Sequence, residues 1–356
     1  MNQVNNLQDK KDEVSFSDNA QLLINAARKK EIPVLELAPE HDLFQLGYGK
    51  YGVLFKGLVA EEASGVFSSL DNPAITHKLL ENLGIVAKSS AVQCSADEYK
   101  VLVVNHKLEA VVQIGAEKRE SLLAKLNEQT KDLIIKLTRL YNLQLAEISF
   151  CSADISVPLE RNGKIRDINI NPRLSRYQRR VNLKQISRQL IDYYAPARIP
   201  IITVIGSRTQ PVVNVINRIL EKVRLTTGVA VNNVIHDYGL APAKKSDSLK
   251  VLLQDKEIEV IIHGIKQGDL ESSQVPYSNM DLLLMTEFTK DNQLNLKKLT
   301  NKSIVIGVDK ELSLEKLEQY QEEKIIYCSL NNENLLLKQQ IKSKQPAVFA
   351  ADNNLV

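Results

Sequence analysis

The spacing of apolar residues changes partway along the chain, and the change divides it. Ser17 precedes Ala20, Leu22, Leu23, Ile24, Ala26 and Ala27, which predicts a capped helix over 17–29. "IPVLELA" (32–38) reads as a short strand. "FQLGYGKYGVLFKGLVA" (44–60), with glycines among aromatics and alternating apolar positions, reads as a hairpin. Pro73 near the start and Gly84 at the end predict a helix over 72–84. "YKVLVVNHKLEAVVQIG" (99–115) predicts two strands around a tight Asn105-His106 turn. Residues 118–143 predict one or two long amphipathic helices. Residues 145–159 and 164–172 predict strands around an Asn162-Gly163 turn, and 186–196 a short helix ending before Pro196.

After Pro196 and Pro200 strands and helices alternate. Strands are expected at 201–205, 227–235, 258–263, 281–286, 303–308, 324–328 and 346–350. Helices are expected at 211–225, 246–254, 294–300 and 312–321. Such alternation predicts a mainly parallel, doubly wound sheet. The expected organisation is a flexible leader (1–15), an α+β domain (16–196) and an α/β domain (197–356).

One stretch of the second half suggests chemistry. "VIGSRTQPVVNVINRIL" (204–220) is strand, loop and helix, the layout of a phosphate-binding P-loop. The loop has no lysine, and Gly206 is its one glycine. Glycine is scarce throughout, with 14 in 356 residues, where an average of about 7% would give roughly 25. That scarcity argues against a machine built on glycine loops.

Composition narrows the classes further. At 44% hydrophobic and 25% charged the chain is an ordinary globular one, and a net charge of +3 gives no general basic coat for nucleic acid. The polar start has no signal-peptide core, and no apolar run reaches the ~20 residues that span a bilayer. Cys94, Cys151 and Cys328 lie far apart in sequence and read as reduced thiols of a cytoplasmic protein. The five histidines lack zinc-motif spacing. One local charge run stands out: "RLSRYQRRVNLKQISR" (173–188) holds Arg173, Arg176, Arg179, Arg180, Lys184 and Arg188 and no acid. It reads either as a polyanion-binding patch or as a solvated helix face beside acidic elements.

"LFQLGYGKYGVLFKG" (43–57) resembles the segment that opens the ATP-grasp domain of the cyanophycin synthetase family. "ITHKLLENLGIVA", "YKVLVVNHKLEAVV", "LQLAEISFCSADIS…IRDININPRLSRY" and "IPIITVIGS" then follow in the family's order, as do "VIIHGIKQGDLE" and "DLLLMTEFTKDN". The resemblance covers roughly residues 18–350 and rests on shared order, since each motif alone is weak. It implies an ATP-grasp-like domain followed by a Mur-ligase central-like domain. It also implies a chemistry: ATP-dependent amide-bond formation through acyl phosphates, with Mg-ATP as cofactor.

Compared position by position, this chain lacks much of what that chemistry needs. Aligning Thr76 and Gly84 places Asn72 and Pro73 where the family has an Asp-Lys pair. "SSAVQCSADE" (89–98) runs directly into the hairpin where the family carries its lid. The family's magnesium carboxylates fall on Ser149 and Asp167, and its asparagine on Asn169. Asp167 and Asn169 share a strand face by period two and can hold a weak cation or form a polar strand end. The family's GTNGKT loop becomes Gly206, Ser207, Arg208, Thr209, Gln210 and Pro211, so lysine and threonine give way to Gln210 and Pro211. A later carboxylate falls on Gly264 and an arginine on Gln267, beside Gly268. Asp291-Asn292 stand near a missing histidine. The family's third domain is not expected here.

The resulting expectation is a catalytically degenerate relative, with no catalytic residues, no metal site and no cofactor. Its role would be non-catalytic: subunit assembly, or binding of a polymer or metabolite. Its partner would be another protein, either a second copy or a complete synthetase, and not a membrane or nucleic acid. Two rivals remain. One is an active ligase of altered design using Arg208, Asp167 and Asn169, with Gly206 and Ser207 as vestigial nucleotide contacts. The other is a polyanion-binding module using the 173–188 run.

Overall fold

The computed structural model describes residues 15–62, 96–116, 121–232, 248–265, 280–286, 300–308 and 325–351, with 78, 80, 81, 234, 235, 354 and 355. Residues 1–14 of the expected leader, the 312–321 helix, most of the 72–84 helix and residues 89–95 of the segment before the hairpin lie outside the described residues, as do Gln267, Gly268, Asp291 and Asn292. The helix expected at 294–300 also lies outside them, except for Thr300, which opens a strand. The chain forms two compact units. One runs to Leu46 and includes Val53–Pro196; the other joins Gly47–Gly52 to the residues from Ala197 onward.

In the first unit, helix α1 (Asp18–Lys29) starts at Ser17, whose side chain accepts a hydrogen bond from the Ala20 amide. Strands β1 (Val34–Ala38), β2 (Leu43–Leu46), β3 (Val53–Lys56) and β4 (Val59–Ala60) form an antiparallel sheet in chain order. A second antiparallel sheet has the order β6-β5-β7-β8, from β5 (Asp97–Val104), β6 (Lys107–Gln113), β7 (Leu145–Ser152) and β8 (Gly163–Asn169). The expected Asn105-His106 turn is present, with φ of 47° and 60°.

The second sheet is apolar on both faces because both are covered. Val101, Val103, Ile148 and Phe150 pack with Ile134 and Leu137 of α2 (Glu128–Leu140). The alternate positions Leu102, Val104 and Leu145 join a core with α1, α4 (Leu183–Tyr194), Phe44, Phe55 and Tyr177. That core is the scaffold on which the polar end of β7 and β8 is mounted.

Four local expectations change. The 118–143 helix is shorter, because Asn127 caps α2 by accepting from the Gln129 amide at 3.0 Å. The 186–196 helix starts earlier, at Leu183, where Asn182 accepts from the Lys184 and Gln185 amides. The Asn162-Gly163 turn is replaced by a helical turn, α3 (Leu159–Asn162), whose Leu159 amide donates to Thr130 Oγ1. Cys151 is disulfide-bonded, while Cys328 is free. The expectation of three reduced thiols relied on sequence separation, which does not fix separation in space.

The second unit holds a nine-stranded sheet in the order β11-β10-β12-β9-β13-β14-β15-β16-β17. Its strands are β9 (Ile201–Ile205), β10 (Thr227–Val231), β11 (Val234–Ile235), β12 (Val260–Ile265), β13 (Met280–Met285), β14 (Thr300–Gly307), β15 (Ile325–Ser329), β16 (Ala347–Ala351) and β17 (Asn354–Leu355). All neighbours from β10 to β16 are parallel, and only the edge strands β11 and β17 are antiparallel. The fold class is therefore α/β with a mainly parallel sheet, as the alternation predicts. The strand expected over 227–235 is split by Asn232, whose φ of 52° turns the chain.

Helices α5 (Thr209–Lys222), α6 (Ser248–Gln254) and α7 (Leu335–Lys342) accompany this sheet. The α7 helix is one that apolar periodicity did not reveal. Its start is fixed by Asn334, which accepts from the Leu336 and Leu337 amides at 3.0 and 3.4 Å. On α5, Val212, Ile216 and Leu220 pack on the sheet, whereas Val215, Ile219 and Val223 are more than half exposed. The apolar stripe of α5 is thus wider than the surface the sheet covers. No helix among the described residues is long and apolar enough to cross a membrane.

Candidate functional site

Strand order points to one edge of the parallel sheet. The chain passes from β9 outward to β10, returns to β12 beside β9, then crosses to β13 on the other side of β9. In open α/β sheets the carboxyl ends at such a reversal form a ligand crevice. Here that place is the Gly206–Thr209 turn after β9, flanked by Gly264 and Ile265 ending β12 and by Thr286 following β13.

The turn closes inward. Gly206 is buried with φ of 132°, a conformation that disfavours other side chains. Thr209, buried at the helix start, donates from Oγ1 to Gly206 O at 2.6 Å and lies 3.3 Å from Ile265 O. The Thr286 amide bonds Ile205 O at 2.9 Å. Ser207 and Arg208 are exposed at the tip, and Gln210 and Pro211 form the first turn of α5. Gln210 bonds Asn214 on its own helix at 2.9 Å. Beside the turn, a Cβ on Gly264 would stand 2.5 Å from Cγ2 of Thr209 and 3.1 Å from Cγ2 of Val213. A longer side chain at 264 has no room unless Thr209 moves. Deeper on β12, His263 is buried against the sheet, and burial holds its pKa down at about 4.

The second candidate site is in the first unit. Across β7 and β8, Glu147 pairs with Asn169 and Ser149 with Asp167, so these four project from one face. Lys100 of β5 lies opposite Ser149. Sequence reading found Asp167 and Asn169 but missed Glu147, two residues before Ser149 and therefore on the same face. Period two could have found it.

Glu147 is the centre of this cluster. Its side chain is 1% exposed. Lys100 Nζ lies 2.7 Å from one oxygen, while Arg176 Nη1 and the Tyr177 hydroxyl lie 2.5 and 2.8 Å from the other. Burial alone would raise its pKa, yet hydrogen bonds from Lys100, Tyr177 and Arg176 outweigh it and hold the carboxyl below its ordinary range. Burial, and next the facing Glu147 charge, push the Tyr177 hydroxyl far up, so it stays protonated and donating.

A magnesium ion bound to phosphates takes oxygen ligands in octahedral array, with one or two carboxylates. The face offers a poor fit. Glu147 is already neutralised by two cations, Ser149 offers a hydroxyl without charge, and Asn169 Oδ1 accepts from the Asn171 amide at 2.9 Å. Among the described residues no three His, Cys, Asp or Glu side chains converge as metal ligands.

The basic run is divided by the fold. Arg176 serves Glu147, and Arg180 donates from Nη1 to Arg176 O at 3.2 Å. Arg173 and Arg179 are exposed, while Lys184 and Arg188 lie on α4 and line a cleft against α1. An acid-free run in sequence is therefore not a single acid-free surface.

No protein family and no curated protein matches the chain by sequence. Solved structures do match in part. One is a bifunctional glutathione synthetase from Pasteurella multocida, at 11% identity and a TM-score of 0.42 over 51% of this chain and 44% of that one. Another is UDP-N-acetylmuramoyl-L-alanyl-D-glutamate--2,6-diaminopimelate ligase, at 14% identity and 0.32 over 46% and 37%. A third is the ATP-grasp ligase PsnB, at 17% identity and 0.23 over 28% and 33%. The matched part spans less than half the length of each.

Proposed function

We propose that this chain is a catalytically degenerate relative of the cyanophycin synthetases. In this reading a reduced ATP-grasp-like unit is followed by a Mur-ligase central-like unit, and the chain works without ligase chemistry. Its role is assembly with a protein partner, or binding of a polymer or metabolite. The observation that carries the reading is the Gly206–Thr209 turn. It occupies the place where such a sheet holds its ligand, yet its threonine bonds backbone carbonyls and Gln210 and Pro211 open the helix. A phosphoryl-transfer site needs positive charge and a metal ligand there. Neither glutamine nor proline supplies them.

Two further observations support the reading. The Glu147 carboxylate faces Lys100 and Arg176, an arrangement that resists a further cation. The exposed Val215, Ile219 and Val223 stripe on α5 favours assembly as the role. The test is Mg-ATP hydrolysis and amide formation by the purified chain. Both are expected at background, and turnover abolished by Asp167→Ala would overturn the reading.

A further inference from the structure

Lys184 and Arg188 stand one turn apart on α4 and face a cavity of about 440 Å³ shared with α1. From α1 come Arg28 and Lys29, with Leu22 and Ala26 as an apolar floor. The two helices thus bring together four cations that lie about 155 residues apart in sequence, and no acidic side chain lines the cavity.

Charge pairing elsewhere in the unit makes this cleft unusual. Arg166 pairs with Glu98 and Lys131 with Glu128, and at the border of the cleft itself Lys30 pairs with Asp192, one turn beyond Arg188. In the cleft only Arg28 has a carboxylate partner, Glu36 at 3.1 Å. Lys29, Lys184 and Arg188 have none among the described residues. Like charges lining one cavity repel, and a bound anion would relieve the repulsion. The α4 amides of Lys184 and Gln185 already bond Asn182, so the side chains must do the binding.

We propose that the α1–α4 cleft binds a compact multivalent anion of the oligophosphate class. Four converging cations suit several negative charges in a short span, with arginine forks taking phosphate oxygens in pairs. No aromatic residue lines the cavity to stack a base, which argues for a compact ligand over a nucleic acid strand. The proposal supplies a ligand for the non-catalytic reading but does not rest on it: binding and turnover are separate measurements, and either can fail alone.

The test is calorimetry of the full chain with inorganic tripolyphosphate at low and high salt. Saturable one-to-one binding that weakens with salt is expected. Lys184→Gln with Arg188→Gln should weaken it about tenfold or more, each charge-assisted contact counting strongly. Arg28→Gln with Lys29→Gln, on the other wall, should act alike, so that misfolding of one variant (checked by circular dichroism) leaves the other decisive. Arg179→Gln with Arg180→Gln, outside the cleft, should change affinity by less than about twofold. No saturable binding at millimolar tripolyphosphate would overturn the proposal. So would an equal loss in the Arg179 and Arg180 variant, or tighter binding of a DNA oligonucleotide than of tripolyphosphate.

Discussion

Thr209 fills the space beside Gly264: a Cβ on the glycine would lie 2.5 Å from the threonine Cγ2. The two residues face each other at the carboxyl end of the parallel sheet. Here they are packed as a small core contact. Gly264→Ala is therefore expected to cost about 1–3 kcal/mol through overpacking. Thr209→Ser removes Cγ2 and keeps the hydroxyl, so it should recover part of that loss in the double variant. Urea unfolding of the four proteins closes the cycle, and additive effects would contradict the packing.

Glu147 is expected to be the most costly polar side chain to neutralise. Glu147→Gln leaves Lys100 and Arg176 facing a buried site without their counter-charge, at a cost of about 3–5 kcal/mol. Its pKa is held below the ordinary range in the folded protein. Its contribution is thus complete above the unfolded value, near 4.5, and is lost as pH falls through the lower folded value. Denaturation midpoints below pH 4.5 should fall more steeply in the wild type than in Glu147→Gln.

His263 acts over a higher window. Its folded pKa is about 4 against an ordinary 6.5. Above pH 6.5 both states are neutral and its effect is constant. As pH drops from 6.5 toward 4 the unfolded chain takes up a proton that the folded chain refuses. Stability should fall by about 3 kcal/mol across that window. In His263→Leu this part of the slope should vanish while the Glu147 part remains.

The two sides of α5 should respond differently. Val213 is fully buried, and Val213→Ala is expected to cost about 2 kcal/mol. Val215→Gln and Ile219→Gln change exposed positions and should stay within about 0.5 kcal/mol. Equal costs on both sides would mean that something covers the outer stripe in solution.

The parallel sheet was legible in the sequence because buried parallel strands read as short apolar runs between turn signals, as "IITVI" and "VIIHGI" do. The Asn105-His106 turn was legible because those residue types tolerate positive φ. Helix starts were less so: Asn127, Asn182 and Asn334 each cap a helix, and asparagine is as common in turns as at caps. At the sites, the inward Thr209 could not be read, since "GSRTQP" does not say which way a hydroxyl points. The Glu147 cluster was hidden for a related reason. Lys100 and Glu147 come from two strands and Arg176 from a helical turn after β8, and only the folded chain brings them together. Within the basic run, Arg176 has no acidic neighbour in sequence and finds Glu147 across the fold.

Phosphate release from Mg-ATP, alone and with carboxylate and amine substrates, tests the central claim most directly. The account predicts that wild type, Asp167→Ala and Arg208→Ala all release phosphate at the rate of a protein-free blank. Release by the wild type about tenfold or more above the blank, reduced in either variant, would contradict it, because loss of transition-state charge stabilisation is expected to remove turnover by far larger factors.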